Sequence, residues 1–359
     1  MKSAMSPWQK RLQSEFIRGP IAHMAVVGTT GTGKTTVFRW LIDGFWEQSP
    51  QNRPTIAYFD IGKSSEILVL AAGLSTPAPL NIVLPDTMDL EIEPAEGVAL
   101  DIKKSYIRAP GEVWESLIRS RLNIICIEPF IRRPPEFTPV ITAMFRELID
   151  RAHEMRLPTP MRIFYDEING IVPGKGLAIN AQHAQCGAEI QFCVERIRSM
   201  GIGLIGSTQG WTACRKGIRQ HFDWQISLRG SHFERGRLSR FNNLFEKLIA
   251  GQAIIVYPDK IFSDRMDIPF YGDGPEYGTC RYIGKLTQRD DPRYQEGWMS
   301  IGQFLGMPEE VAEDDDDPDL TDDAPDDSDS EPPQVSYDAL AALLDENTLK
   351  ELRDCGTYI

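Results

Sequence analysis

The chain of 359 residues carries 52 acidic against 38 basic side chains, a formal net charge of −14, and 42% hydrophobic residues, enough for one large α/β domain with an appendage or for two domains. The excess charge sits in one place: fourteen acidic and no basic residues lie between Glu309 and Glu331, so the rest balances at 38 of each sign and neither demands nor excludes nucleic-acid binding. No apolar run approaches the roughly eighteen residues of a membrane span, and Met1 to Trp8 lacks the apolar core of a secretory signal, so a cytosolic protein without a membrane span is expected.

Residues 1–20 read as a short lead-in whose Trp8, Leu12 and Phe16, spaced by four, place one apolar face against the body. The apolar run His23-Met24-Ala25-Val26-Val27 predicts a buried strand, and Thr36-Val37-Phe38-Arg39-Trp40-Leu41-Ile42 a helix. Between them stands Gly28-Thr29-Thr30-Gly31-Thr32-Gly33-Lys34-Thr35, a complete phosphate-binding P-loop in the strand-loop-helix context that the motif requires. Gly28 and Gly33 are expected to take left-handed angles that turn successive N–H groups toward an anion, and the helix start adds its positive dipole end. The residues from Gly28 to Thr36 are therefore the candidate cradle for ATP. Lys34 is expected on the β- and γ-phosphates and the Thr35 hydroxyl on Mg2+.

Pro54-Thr55-Ile56-Ala57-Tyr58-Phe59-Asp60 predicts a second core strand. The stretch from about 75 to 115, rich in proline and mixed charge with β-like pieces such as Leu80 to Leu84, reads as an excursion from the core. Asn123 to Glu128, short, β-branched and stopped by Pro129, predicts another buried strand. Helical spacing over 137–155 is followed by a strand at 161–167. A helix at 182–200 precedes a strand at 203–209, and strands at 224–229 and 252–257 complete the set. Strands alternating with helices imply an α/β fold, a mostly parallel sheet covered by helices on both faces, spanning 21–308. Residues 309–333, acidic and poor in apolar side chains, are expected to be disordered. Residues 334–359 regain helical periodicity through Leu340, Leu343, Leu344, Leu349 and Leu352, a tethered amphipathic piece expected to dock on a partner or fold back.

Six cysteines lie scattered without a C-x-x-C pair. His183, Cys186 and Cys193 fall close enough to raise a zinc site, but reduced thiols in a core are the better account of their spacing.

A P-loop needs a carboxylate for the magnesium shell and, for hydrolysis, a group that aligns water. Arg162-Ile163-Phe164-Tyr165-Asp166-Glu167 offers both at a strand end: Asp166 for Mg2+ and Glu167 as general base or water-positioning group. Ser207-Thr208-Gln209 ends the next strand at the same sheet edge, where Gln209 can hydrogen-bond the γ-phosphate or the attacking water.

This succession resembles the HerA/FtsK superfamily of P-loop motors, which includes DNA pumps, conjugative coupling ATPases and viral genome-packaging ATPases. The matching pieces are the P-loop, Tyr58-Phe59-Asp60, Phe164-Tyr165-Asp166-Glu167, Arg196-Ile197-Arg198-Ser199-Met200-Gly201, Ser207-Thr208-Gln209, Ile226-Ser227-Leu228-Arg229 and Lys247-Leu248-Ile249-Ala250-Gly251-Gln252, covering roughly 21–260. The resemblance implies a RecA-like P-loop NTPase core and a ring, usually a homo-hexamer, with ATP held between subunits and an arginine from the neighbour completing the site. Arg229, Arg235 and Arg237 are the candidates for that arginine, with Arg196 and Arg198 similarly ambiguous. With no membrane anchor evident, it implies a compact translocase of DNA, double-stranded by preference, that packages a viral genome or moves plasmid DNA, in the host cytoplasm if viral. The acidic tail is then expected to meet a capsid, portal or relaxase component or to compete with DNA. A soluble conjugative coupling-type ATPase and an ATPase acting on protein stay open as alternatives. Two further rivals are a P-loop enzyme such as a kinase or GTPase, the latter weakened by the absence of the base-reading motif Asn-Lys-x-Asp, and an assembly factor that uses ATP only as a structural clamp, from which loss of turnover in Glu167→Gln would distinguish a motor.

Overall fold

The computed structural model describes residues 6–61, 65–86, 88–127, 134–233 and 239–284. Chain order begins with α1 (Pro7–Leu12), capped by Ser6 and run on by a π-helical turn over Gln13–Ile17. Leu12 and Phe16 are buried and Trp8 packs beside them, so the lead-in docks as its spacing predicts. β1 (Met24–Val27), α2 (Lys34–Trp46) and β2 (Thr55–Asp60) follow. After the single turn α3 (Ser65–Leu68) come β3 (Leu80–Pro85), β4 (Met88–Pro94), β5 (Ile102–Ile107) and β6 (Leu122–Cys126). The second half runs α4 (Pro134–His153), β7 (Met161–Tyr165), α5 (Ala181–Ile197), β8 (Ile202–Thr208), α6 (Lys216–Arg219) and β9 (Trp224–Leu228). α7 (Asn242–Glu246), β10 (Gln252–Val256), β11 (Met266–Asp267) and β12 (Gly278–Gly284) close the described chain.

Ten strands form one sheet in the order β11-β10-β9-β1-β8-β7-β2-β6-β3-β5, with all pairings parallel from β9 to β5 and antiparallel ones only at the β10 and β11 edge. Every residue of β1, β2, β6, β7, β8 and β9 is buried. Since alternate residues of a strand point to opposite faces, burial of all of them means both faces are covered, as a βα alternation requires. β1 stands between β8 and β9, and β7 lies one strand further along. In register, Val27 is level with Thr208 and Tyr165 with Gly206, so the carboxyl ends of β1, β8 and β7 open together on one edge.

The stretch read from sequence as an excursion instead extends the main sheet through β3 and β5, while β4 leaves it to pair antiparallel with β12, from Met88 opposite Gly284 to Pro94 opposite Gly278. The acidic segment 309–333, the amphipathic piece 334–359, Arg235 and Arg237 lie outside the described residues.

Candidate functional site at the strand ends

The P-loop leaves β1 at Val27 and is pinned on both sides. Gly28 N donates to Thr208 O of β8 at 3.1 Å, while the backbone N and hydroxyl of Thr29 both donate to Arg229 O, each at 3.2 Å. Within the loop Thr32 Oγ1 donates to Thr29 O at 2.7 Å, and Gly251 N donates to Thr32 O at 3.2 Å. Gly31 and Gly33 hold positive φ, +72° and +104°, which glycine alone adopts without a steric cost. Gly33 is also the N-cap of α2. Gly28 departs from expectation. Its φ is not positive; it must be glycine because a Cβ there would meet Leu228 Cβ and Thr32 Oγ1, each at 2.7 Å. The first N–H groups of α2, those of Lys34, Thr35 and Thr36, have no intrahelical acceptor, as at any helix start, and sit beside the exposed Thr29, Thr30 and Gly31.

Across the edge, Asp166 and Glu167 follow β7. Asp166 is buried, and its Oδ1 accepts from the Ser207 hydroxyl and, at 3.1 Å, from Glu167 N. Ser207 Oγ in turn accepts from Glu167 N at 3.2 Å. Glu167 itself has φ +48°, a left-handed conformation that costs a non-glycine residue of the order of 1 kcal/mol. The bend turns its backbone N–H back toward Asp166 and Ser207 while its side chain faces the P-loop.

The two halves meet at the Glu167 carboxylate. Lys34, 8% exposed, places Nζ 3.2 Å from Glu167 Oε1 and donates to Gly28 O at 3.2 Å. Gln209 Nε2 donates to the same Oε1 at 3.1 Å, and Thr30 Oγ1 donates to Gln209 Oε1 at 2.9 Å. One hydrogen-bonded chain thus runs Thr30, Gln209, Glu167, Lys34 and back to the loop. β8, inserted between β1 and β7, is what places Gln209 between Thr30 of the P-loop and the Glu167 carboxylate.

The arginines stand apart. Arg229 is exposed, with only its carbonyl engaged by the P-loop. The Arg196 guanidinium stacks over Phe192 at 3.2 Å, and Arg198 pairs with Asp223 at 2.7 Å. Among the described residues no arginine bonds to Lys34, Glu167 or Gln209. The zinc candidates are likewise occupied otherwise. His183 accepts at Nδ1 from Ile179 N and bonds Gly170 O through Nε2. Burial raises the Cys186 thiol to about 11 and pushes Cys193 higher still.

The chain is similar in structure to several solved proteins. One is the genome packaging NTPase B204 from Sulfolobus turreted icosahedral virus 2, in complex with AMPPCP, at 11% identity and a TM-score of 0.43 over 70% of this chain and 100% of that one. A second is the pCW3 conjugation coupling protein TcpA with ATPgS, at 12% and 0.36 over 70% and 61%. A third is the cytoplasmic domain of the Thermomonospora curvata type VII secretion ATPase EccC, at 12% and 0.40 over 70% and 25%. No protein-family model and no curated protein matches the chain. At such identities and TM-scores the likeness decides nothing about activity. The side chains at the sheet edge must do that.

Their donor set suits a hard divalent cation. A buried carboxylate, Asp166, and a hydroxyl at the helix start, Thr35, are oxygen ligands of the kind Mg2+ takes alongside water and phosphate. Two further polar groups had no role assigned in the sequence: Ser207, which orients both acids, and Asn169, whose Oδ1 accepts from Thr208 Oγ1 at 3.0 Å. Both are ordinary polar residues near strand ends, and only the register of β8 on β7 gives Ser207 its place beside Asp166.

Proposed function

We propose that this chain is an ATP-hydrolysing motor that translocates DNA, packaging a viral genome or moving plasmid or viral DNA. The observation that carries the reading is the meeting of Lys34, Glu167 and Gln209 on one carboxylate at the ends of three neighbouring strands. A kinase has little use for a second acid beside Asp166, whereas hydrolysis needs one to align water.

In this reading the phosphates lie on the N–H groups of the loop and the start of α2, and Lys34 moves from Glu167 and Gly28 O onto the β- and γ-oxygens. Thr35 and Asp166 would hold magnesium, which would supply positive charge to offset that of the phosphate oxygens. Glu167, released from Lys34, accepts a proton from the attacking water. Gln209 stays bonded to Glu167 and aligns the water, while Thr30 holds Gln209 in turn. Arg229, or Arg235, completes the site from a neighbouring subunit in a ring of six. DNA as cargo is supported by the motif succession from the P-loop to Lys247–Gln252. The acidic tail would serve a capsid or relaxase partner.

The test is the ATPase rate of the full chain with no polynucleotide, with double-stranded DNA and with single-stranded DNA, run beside a sizing measurement. Stimulation by DNA in a ring-sized particle is the expected result. An ATPase indifferent to every polynucleotide would remove DNA from the account.

A further inference from the structure

The P-loop has two flanks, and the groups that face the γ-phosphate end stand on one of them. In the sheet order, β8 and β7 bring Gln209, Asp166 and Glu167 to one side of β1, while β9, β10 and β11 lie on its other side. β10 runs antiparallel to β9, with Ala253 opposite Leu228, so its start at Gln252 reaches the same edge of the sheet as the P-loop. β11 ends there as well, with Asp267 opposite Gln252. A triphosphate whose γ-phosphate meets Glu167 and Gln209 therefore runs its α-phosphate and nucleoside toward this second flank.

Two backbone segments border the loop there. Gly251 N donates to Thr32 O at 3.2 Å, and a Cβ on Gly33 would lie 3.9 Å from Gly251 Cα and from Thr36 Cβ. Ile268 N donates to Gly251 O at 2.8 Å. From there the chain follows α2, where Arg39 Nη1 donates to Gly272 O at 3.1 Å and the Tyr271 hydroxyl to Asp43 Oδ2 at 3.0 Å. Thr36, Arg39 and Asp43 share one face of that helix by their spacing of three and four.

Phe270, between these anchors, is 70% exposed, and Ile249, two residues before Gly251, is 63% exposed. Among the described residues Met155 alone is a more exposed large apolar side chain than Phe270. Scattered exposed hydrophobics are ordinary on a protein surface. What distinguishes these two is their place. They stand on backbone tied to the phosphate loop at Gly251 and to α2 at Arg39 and Asp43, and a Cβ placed on Gly251 would meet nothing within 4 Å, so the space over the turn is open. No polar side chain occurs from Leu248 to Gly251 or from Ile268 to Phe270.

We propose that Phe270 and Ile249 hold the nucleobase of the bound triphosphate, Phe270 as a stacking face and Ile249 as an apolar wall. The inference rests on the P-loop being the nucleotide cradle of the proposed function, and it names what holds the other end of that nucleotide. Stacking on an aromatic ring strengthens binding about tenfold or more and suits any base, since every base has a π-face. With no side-chain donor or acceptor to read the base edge, ring area decides. Purines bind more tightly than pyrimidines, and adenine and guanine about equally.

Four variants of the full chain test it against the parent: Phe270→Ala, Phe270→Trp, Ile249→Ala and, as an exposed apolar control before the amino end of β7, Met155→Ala. The readouts are affinities for ATP, GTP, CTP and inorganic tripolyphosphate with Mg2+ present, the quenching of 2-aminopurine riboside triphosphate by stacking, and particle size across protein concentration. The parent is expected to bind ATP and GTP within about threefold of each other and CTP about tenfold more weakly. Phe270→Ala weakens ATP about tenfold or more and removes most of the quenching, yet leaves tripolyphosphate within about twofold. Phe270→Trp keeps both ATP affinity and quenching, Ile249→Ala weakens ATP about threefold, and Met155→Ala changes neither. Full ATP affinity in Phe270→Ala overturns the stacking face. Equal loss of ATP and tripolyphosphate together with a smaller particle overturns it too, and assigns Phe270 to a contact between copies of this chain. A parent that prefers ATP to GTP by more than about tenfold overturns recognition by stacking alone. A parent that binds neither ATP nor tripolyphosphate fails the P-loop reading itself.

Discussion

Two buried cations, Lys34 and Arg162, stand at opposite ends of the same sheet and are held in different ways. Lys34, past the carboxyl end of β1, bonds a carboxylate and two loop carbonyls. Arg162, second residue of β7 at its amino end, has no carboxylate partner among the described residues. It donates to Ala22 O at 2.8 Å, Phe16 O at 3.1 Å and Pro20 O at 3.4 Å, and lies 4.8 Å over the Phe16 ring and 5.1 Å over Phe45. Burial lowers its ordinary value to about 9. Gly203 makes room for this arrangement, since a Cβ there would fall 2.6 Å from Arg162 Nη1 and 2.7 Å from Ala22 O. The contrast separates a clamp from a site. Arg162 is bound to backbone that has nowhere to go, whereas a phosphate can replace each partner of Lys34.

Lys34→Ala breaks the comparison at its active end and carries the largest expected effect: nucleotide affinity and turnover each fall by about 100-fold or more, read by ATP binding and steady-state ATPase, with the fold intact. Arg162→Met breaks the other end. It leaves the Phe16, Pro20 and Ala22 carbonyls without their donor and costs about 3 kcal/mol of stability by denaturant midpoint, while KM for ATP stays unchanged. Gln209→Ala sharpens the first end, with kcat reduced about tenfold and KM little altered.

A smaller effect follows from His23, buried at the amino end of β1, where burial lowers its ordinary value to about 3. It accepts at Nδ1 from Leu204 N at 2.9 Å and bonds Val194 O through Nε2 at 3.1 Å, a neutral ring. The unfolded chain takes a proton near pH 6.5 and the folded chain only near 3, so stability is full above 6.5 and falls as pH drops toward 3. Between pH 6.5 and 5 the loss is about 1–2 kcal/mol, and His23→Asn flattens that part of the pH profile.

The strands that carry the candidate site were legible because each is a short buried apolar run that ends at a candidate residue: Val27 before Gly28, Tyr165 before Asp166, Thr208 before Gln209. Order and register were not. Nothing between Leu80 and Ile107 distinguishes strands that join the main sheet, β3 and β5, from β4, which pairs with β12 far along the chain. Long-range pairing leaves no local periodicity to read. Ser207 was hidden for the same reason, being a polar residue whose neighbour across the ladder decides its role. Gly28 was assigned to the right loop for the wrong cause, crowding by Leu228 rather than a left-handed turn.

The central claim is that Glu167 is the group that readies water once Lys34 has gone to phosphate. Glu167→Gln keeps size and hydrogen-bonding while removing the charge, so its single-turnover hydrolysis of ATP, measured beside ATP affinity, addresses that claim most directly. The account predicts affinity equal to or tighter than the parent and hydrolysis slowed by about 100-fold or more. Hydrolysis at the parent rate would contradict it.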